Sequence, residues 1–120
     1  MNAKPATILC VDDDSTALNI RRLLLESVGY RTLSAESGRE ALTLFQSEPI
    51  DLVVLDYWMG GMNGVALAQE IKRLKPAIPI IILSGYAELP GEATGLAHAW
   101  IRKGEDSEYF LSKVKELLQR

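Results

Sequence analysis

Six aspartates are spread unevenly along the 120 residues of this chain. Asp12, Asp13 and Asp14 directly follow the apolar run Ile8 to Val11, and Asp56 directly follows Leu52 to Leu55. Two other polar groups hold comparable positions: Ser84 after Ile80 to Leu83, and Lys103 after Ala99 to Arg102. Carboxylates at close range repel one another, and each then holds a proton more tightly unless a cation intervenes. The cation suited to an all-oxygen donor set is hard and divalent. Mg²⁺ takes one or two carboxylates, keeps several waters and leaves room for a phosphate oxygen. A lysine beside such a site offers a point charge to phosphate, and a serine hydroxyl offers a hydrogen bond.

Whether these groups meet depends on the elements that carry them. The runs Ile8 to Val11, Leu52 to Leu55 and Ile80 to Leu83 are rich in Val, Ile and Leu without alternation, as expected of strands buried on both faces of a parallel sheet. Arg31 to Ala35 and Ala99 to Arg102 are weaker strand candidates. Amphipathic segments separate them. Ala17, Ile20, Leu24 and Val28 mark one face of a first helix that Gly29 ends, and Ser37 with Glu40 forms a capping box for a second. Leu67, Ile71 and Leu74 stripe a third helix, and Phe110, Val114 and Leu117 the last. Between Ser84 and Ala97 the fourth helical segment carries Pro90, Gly91 and Gly95, so it is expected to be short or irregular. Strand and helix alternate five times, which implies right-handed crossovers and a doubly wound, five-stranded parallel α/β domain. In such sheets ligands bind outside the carboxyl ends of the strands, where every one of the polar groups above falls.

Composition sets bounds on the rest. With 48% hydrophobic and 24% charged residues the chain is an ordinary globular mix, sized for one domain. Its net charge of -3 argues against a nucleic-acid surface. No apolar run, Ala77 to Ala87 included, approaches the roughly 20 residues of a membrane span. No secretory signal is evident, and the single cysteine, Cys10, cannot form an internal disulfide, so a cytoplasmic location is expected. Cys10 reads as a small core residue. His98 has no partner at metal-ligand spacing and reads as a surface residue, while Arg21-Arg22 and Lys72-Arg73 read as solvated helix faces open to a partner.

Taken together, Ile8-Leu9-Cys10-Val11-Asp12-Asp13-Asp14, Leu52-Val53-Val54-Leu55-Asp56 with Met59 and Gly64, Ile82-Leu83-Ser84-Gly85 and Trp100-Ile101-Arg102-Lys103 resemble the receiver domain of two-component response regulators. The resemblance covers essentially residues 1–120, with no effector domain beside it. It implies a flavodoxin-like sheet of order 2-1-3-4-5. It also implies that Asp56 is the phosphoacceptor, taking a phosphoryl group from a sensor histidine kinase or a phosphotransfer protein. Asp13 and Asp56 would bind Mg²⁺ directly, with the backbone carbonyl of Trp58, and Asp12 would help through water. Lys103 would pair with phosphoryl oxygens. Ser84 would hydrogen-bond the phosphoryl group and draw in Trp100 as a conformational switch, signalling to a downstream effector domain or protein through the face of the fourth helix, fifth strand and fifth helix. Such a domain phosphorylates and dephosphorylates itself and is no turnover enzyme; a homodimer is a further partner the family admits.

Three departures from the family pattern stand out, beside two aromatics at positions where members of the family tune the phosphoryl lifetime. Gly104 follows Lys103 where Pro is usual, which implies a different turn. Gly60-Gly61 follow Met59 where Pro is usual, which should loosen that loop. The stretch from Ser84 to Trp100 is about one helical turn short. Trp58 and Tyr86 place two aromatics where bulk would restrict an attacking water.

A rival reading takes Asp12-Asp13-Asp14-Ser15-Thr16 as the nucleophile motif of a haloacid-dehalogenase-type phosphatase, with Asp12 as nucleophile and Asp14 as acid/base. Against it, no flap insertion follows the first strand, and Asp56 is left without a role. Asp14 or Ser15 serves as well as a helix cap. A flavin or nucleotide binder would want a Gly- or Thr-rich loop after the first strand, where carboxylates would repel phosphate. A degenerate receiver acting only as an interaction module would not need Asp12, Asp13, Asp56, Ser84 and Lys103 together.

Overall fold

A computed structural model describes residues 4–59, 62–85 and 95–119, the side chains of Met59, Met62 and Asn63 excepted. Five parallel strands, β1 (Thr7–Val11), β2 (Arg31–Ala35), β3 (Leu52–Asp56), β4 (Ile80–Ser84) and β5 (Ala99–Arg102), form one sheet in the order β2-β1-β3-β4-β5. The four helices among the described residues are α1 (Ser15–Ser27), α2 (Gly38–Ser47), α3 (Gly64–Leu74) and α4 (Ser107–Leu118). A two-residue ribbon, Trp58–Met59 against Met62–Asn63, stands between β3 and α3. The expected short helix after Ser84 lies outside the described residues apart from the turn at Gly95 and Leu96, and so do Gly60, Gly61 and Tyr86. No helix among the described residues is long and apolar enough to cross a membrane.

The continuous apolar runs are explained by the two layers they serve. Successive side chains of a strand point to opposite faces. Leu9, Val11, Val53, Leu55, Ile80 and Ile82 meet Ala41 of α2 and Leu67, Ala68 and Ile71 of α3 on one face. Ile8, Cys10, Leu52, Val54, Ile81 and Leu83 meet Leu18 and Leu25 of α1 and Phe110, Val114 and Leu117 of α4 on the other. Cys10 is fully buried, and that burial pushes its thiol up to about 12, so it stays protonated.

Local signals set the helix ends. The Asp14 carboxylate caps α1 by accepting from the Thr16 and Ala17 amides at 2.9 and 3.3 Å. Gly29, at φ +100°, terminates it through the Glu26 carbonyl at 3.0 Å. Ser37 Oγ accepts from the Glu40 amide, and the Glu40 carboxylate reaches back to the Glu36 amide at 2.7 Å.

The phase of α1 departs from the expected stripe. Leu18 and Leu25 enter the core, whereas Ile20 and Val28 stay 63% and 53% exposed, with Ala17 and Leu24 half-buried. Apolar residues at 17, 18, 20, 23, 24, 25 and 28 cover more than half the helix circumference, so two stripes one residue apart both fit the 3.6 period. The shift also corrects the reading of Arg21 as solvated. It shares the inward face with Leu18 and Leu25, and its side chain is only 11% exposed. Arg22 remains on the outside, paired with Glu26 at 3.0 Å.

Candidate functional site

The parallel register delivers the polar groups to one sheet edge. Val11 pairs with Leu55, so the residues that follow, Asp12 and Asp56, emerge from adjacent strands. Asp56 is the last residue of β3 and sits beside Leu83, while Ser84, the last of β4, sits beside Arg102. The Lys103 amide donates to the Ser84 carbonyl at 2.7 Å, which fixes the backbone of Lys103 just past the end of β5. The turn that follows is closed by Gly104 at φ +89°, with the Glu105 amide donating to the Arg102 carbonyl at 3.1 Å. A glycine adopts that left-handed conformation without strain.

Side-chain geometry completes the cluster. Asp12, Asp13 and Asp56 each present a carboxylate oxygen, all within 4.8 Å of one another. Asp12 is fully buried and Asp56 is 4% exposed, while Asp13 faces solvent. Lys103 Nζ lies 2.9 Å from Asp56 Oδ1 and 3.8 Å from Asp12 Oδ2. Asp12 is held further by the Asp14 amide, which donates to Oδ1 at 3.0 Å, and by Arg21 Nη2, 3.4 Å from Oδ2. Arg21 is the member of this cluster that the sequence reading missed. Its spacing from Leu18 and Leu25 was the available signal, hidden by the choice of the wrong stripe.

Burial pushes the Asp56 carboxyl above the ordinary carboxylate range. The Lys103 hydrogen bond opposes that rise, the charge of Asp12 adds to it, and the charges of Lys103 and Arg21 reduce it. One lysine, Lys103, meets this buried carboxylate on one oxygen.

Backbone packing positions Asp56 from below. The Gly64 amide donates to the Tyr57 carbonyl and the Tyr57 amide to the Leu83 carbonyl, at 2.6 and 2.8 Å. A shallow groove beside Asp56 is lined by Tyr57, Trp58, Gly85 and Lys103. Trp58, 60% exposed, forms its rim. Ser84 is fully buried, one strand away from Asp56. Trp100 is half-buried against the layer that holds α2 and α3, and its indole Nε1 is buried without a hydrogen-bond partner among the described residues. His98 is exposed, with Nδ1 accepting from the Ile80 amide at the opposite end of β4. The structure thus brings Asp12, Asp13, Asp56 and Lys103 together, sets Ser84 and Trp58 beside them, and leaves His98 apart.

The family model of the response regulator receiver domain matches residues 8–115. The transcriptional regulatory protein GlrR of Escherichia coli K12 is 42% identical over 123 residues, covering 100% of this chain and 28% of that protein. The transcriptional regulatory protein ZraR of the same organism is 43% identical over 82 residues, covering 68% of this chain and 19% of that protein. The chain therefore spans less than a third of the length of either relative. Among solved structures, a response regulator receiver domain from Clostridium thermocellum superposes with a TM-score of 0.89 at 31% identity, over 96% of this chain and 95% of that one. The response regulator protein TrrA of Thermotoga maritima, in complex with Mg²⁺-BeF, gives 0.88 at 34% identity, over 93% and 98%.

Proposed function

The chain belongs to the response regulator receiver domain family, and from that premise we propose that it is a phosphoacceptor. Asp56 takes a phosphoryl group from the phosphohistidine of a sensor kinase or phosphotransfer protein. The observation that carries this reading is the pairing of buried Asp56 with Lys103 at 2.9 Å inside a cluster of three carboxylates. One Asp56 oxygen attacks phosphorus, the O–P bond forms as the P–N bond to imidazole breaks, and the imidazole nitrogen leaves with the electron pair of that bond and takes a proton from solvent. The product is an acyl phosphate, so the protein is its own substrate rather than a turnover enzyme.

The donor set fits a hard cation. Asp12, Asp13, Asp56 and the Trp58 main-chain carbonyl are all oxygen donors, and a bound Mg²⁺ would neutralise charge on the phosphoryl oxygens. Asp12 acts through water in this scheme, since Arg21, Lys103 and the Asp14 amide already hold its oxygens. Lys103 moves its hydrogen bonds from the Asp56 carboxylate to the phosphoryl group. Ser84 donates a hydrogen bond from its hydroxyl to a phosphoryl oxygen, and Trp100, whose Nε1 has no hydrogen-bond partner among the described residues, repacks in response. The readout is an effector domain or protein contacted through the β5 and α4 face, in the cytoplasm. That GlrR and ZraR are named transcriptional regulators and are longer than this chain supports such an effector.

The rival phosphatase scheme meets an obstacle in the same geometry. Asp14, its acid/base, has its carboxylate committed to the first-turn amides of α1. Intact-mass analysis after incubation with Mg²⁺ and acetyl phosphate separates the two. One added phosphoryl group is expected on wild type and Asp12→Ala, and none on Asp56→Ala. Labelling that survives Asp56→Ala overturns the proposal.

A further inference from the structure

Arg21 is a costly residue for its position. It stands between Leu18 and Leu25 on the face of α1 that packs on the sheet, where an apolar side chain would fill the space without desolvating a charge. Its side chain is 11% exposed, Nη2 lies 3.4 Å from Asp12 Oδ2, and Nη1 is buried with no hydrogen-bond partner among the described residues. Asp12 is 1% exposed at its side chain and receives a second cation, Lys103, at 3.8 Å. Three carboxylates therefore face two resident cations, which leaves the cluster with an excess of one negative charge rather than two.

We propose that Arg21 is a built-in counter-ion that competes with a divalent cation for the acidic cluster and sets its affinity. It is a positioning residue, acting through Asp12 rather than on the phosphoryl group. The inference rests on the reading of Asp12, Asp13 and Asp56 as a Mg²⁺ site. Its guanidinium restrains Asp12 and offsets part of the field that draws the cation in. A fixed unit charge that close to a divalent ion weakens its binding on the order of tenfold, even with substantial screening. Lys103 cannot substitute for this effect, because its charge is shared with Asp56 and is 42% exposed at the side chain.

The test is a MgCl₂ titration of the metal-free protein, read by tryptophan fluorescence, with Trp58 beside the site, and by calorimetry. Arg21→Met is expected to bind Mg²⁺ on the order of tenfold more tightly than wild type, while Arg21→Lys, which keeps the charge, stays within about twofold. Loss of a merely structural residue would loosen the cluster and weaken binding, the opposite sign. If Arg21→Met does not fold, Arg21→Gln carries the same expectation. Equal or weaker Mg²⁺ binding by the neutral variant overturns the inference while leaving the metal site standing. A wild type with no saturable response to Mg²⁺ overturns the metal reading, and this inference with it.

Discussion

Gly64, the first residue of α3, lies so close to Asp56 that a Cβ built on it would fall 2.5 Å from the Asp56 carbonyl oxygen and 3.1 Å from Tyr57 Cα. Both neighbours are backbone, so neither can swing away. The start of α3 thus supports the Asp56 end of β3 through a contact that only glycine permits.

Gly64→Ala should therefore cost about 1–3 kcal/mol, as overpacking against rigid backbone does. It should also slow phosphoryl acceptance, because Asp56 must shift. Gly29→Ala is the comparison: its φ of +100° strains alanine, but the added Cβ meets nothing within 4 Å and the site lies elsewhere. Urea unfolding and phosphorylation rates should fall together for the first variant, whereas only stability should fall for the second.

The pH dependence of stability follows from the raised Asp56 carboxyl. Folded Asp56 holds its proton to a higher pH than unfolded Asp56 does, chiefly because burial disfavours the carboxylate. Its contribution to folding is thus fully present below the unfolded value of about 3.9 and is lost as pH rises through the folded value. Asp56→Asn has no such loss. In EDTA, the stability of this variant relative to wild type should grow as pH is raised from about 3.9 to 7, measured by denaturant unfolding across that range.

Mg²⁺ should stabilise the folded chain by mass action. A free concentration of about 100 times the dissociation constant corresponds to about 2.7 kcal/mol. Asp13→Ala should change the stability of the metal-free protein little, since Asp13 is exposed, yet it should remove most of the Mg²⁺-dependent gain. Thermal unfolding with and without excess EDTA reads both effects. A full Mg²⁺ gain in Asp13→Ala would remove Asp13 from the ligand set.

Trp58 lines the groove beside Asp56 and is 60% exposed, so its bulk is expected to hinder a water approaching an Asp56 phosphate. Trp58→Asn should open that path, and the aspartyl phosphate should decay several-fold faster, followed by mass or by radiolabel after removal of the phosphodonor. Because the indole is 60% exposed, stability should change by less than about 1 kcal/mol.

Much of the fold was legible because each layer leaves a separate mark on the chain. The unbroken runs at Ile8, Leu52 and Ile80 could only be satisfied by strands covered on both faces, and each ends where the first charged or hydroxyl group appears. The α4 stripe of Phe110, Val114 and Leu117 enters the core as its spacing implied. The α1 stripe was misread by one residue because both of its phases are apolar. That error of about 100° of helix rotation turned Arg21 from a core-facing cation into a solvated one. Strand order was likewise not written in any single run. It came from the family resemblance, and the β2-β1-β3-β4-β5 sheet agrees with it.

By itself, the amino-acid order determined which groups stand at strand ends, since hydrophobic continuity and its interruption are local properties. It thereby determined that Asp12, Asp13, Asp56, Ser84 and Lys103 share one edge of a parallel sheet. Only the tertiary structure decided how they are paired. Lys103 reaches both Asp56 and Asp12, Arg21 is turned in towards Asp12, Asp14 is taken by the helix cap, and Gly64 is pressed against the carbonyl of Asp56. The reason is physical: distances of 3 to 4 Å between charges depend on strand register and helix rotation, which long-range packing sets.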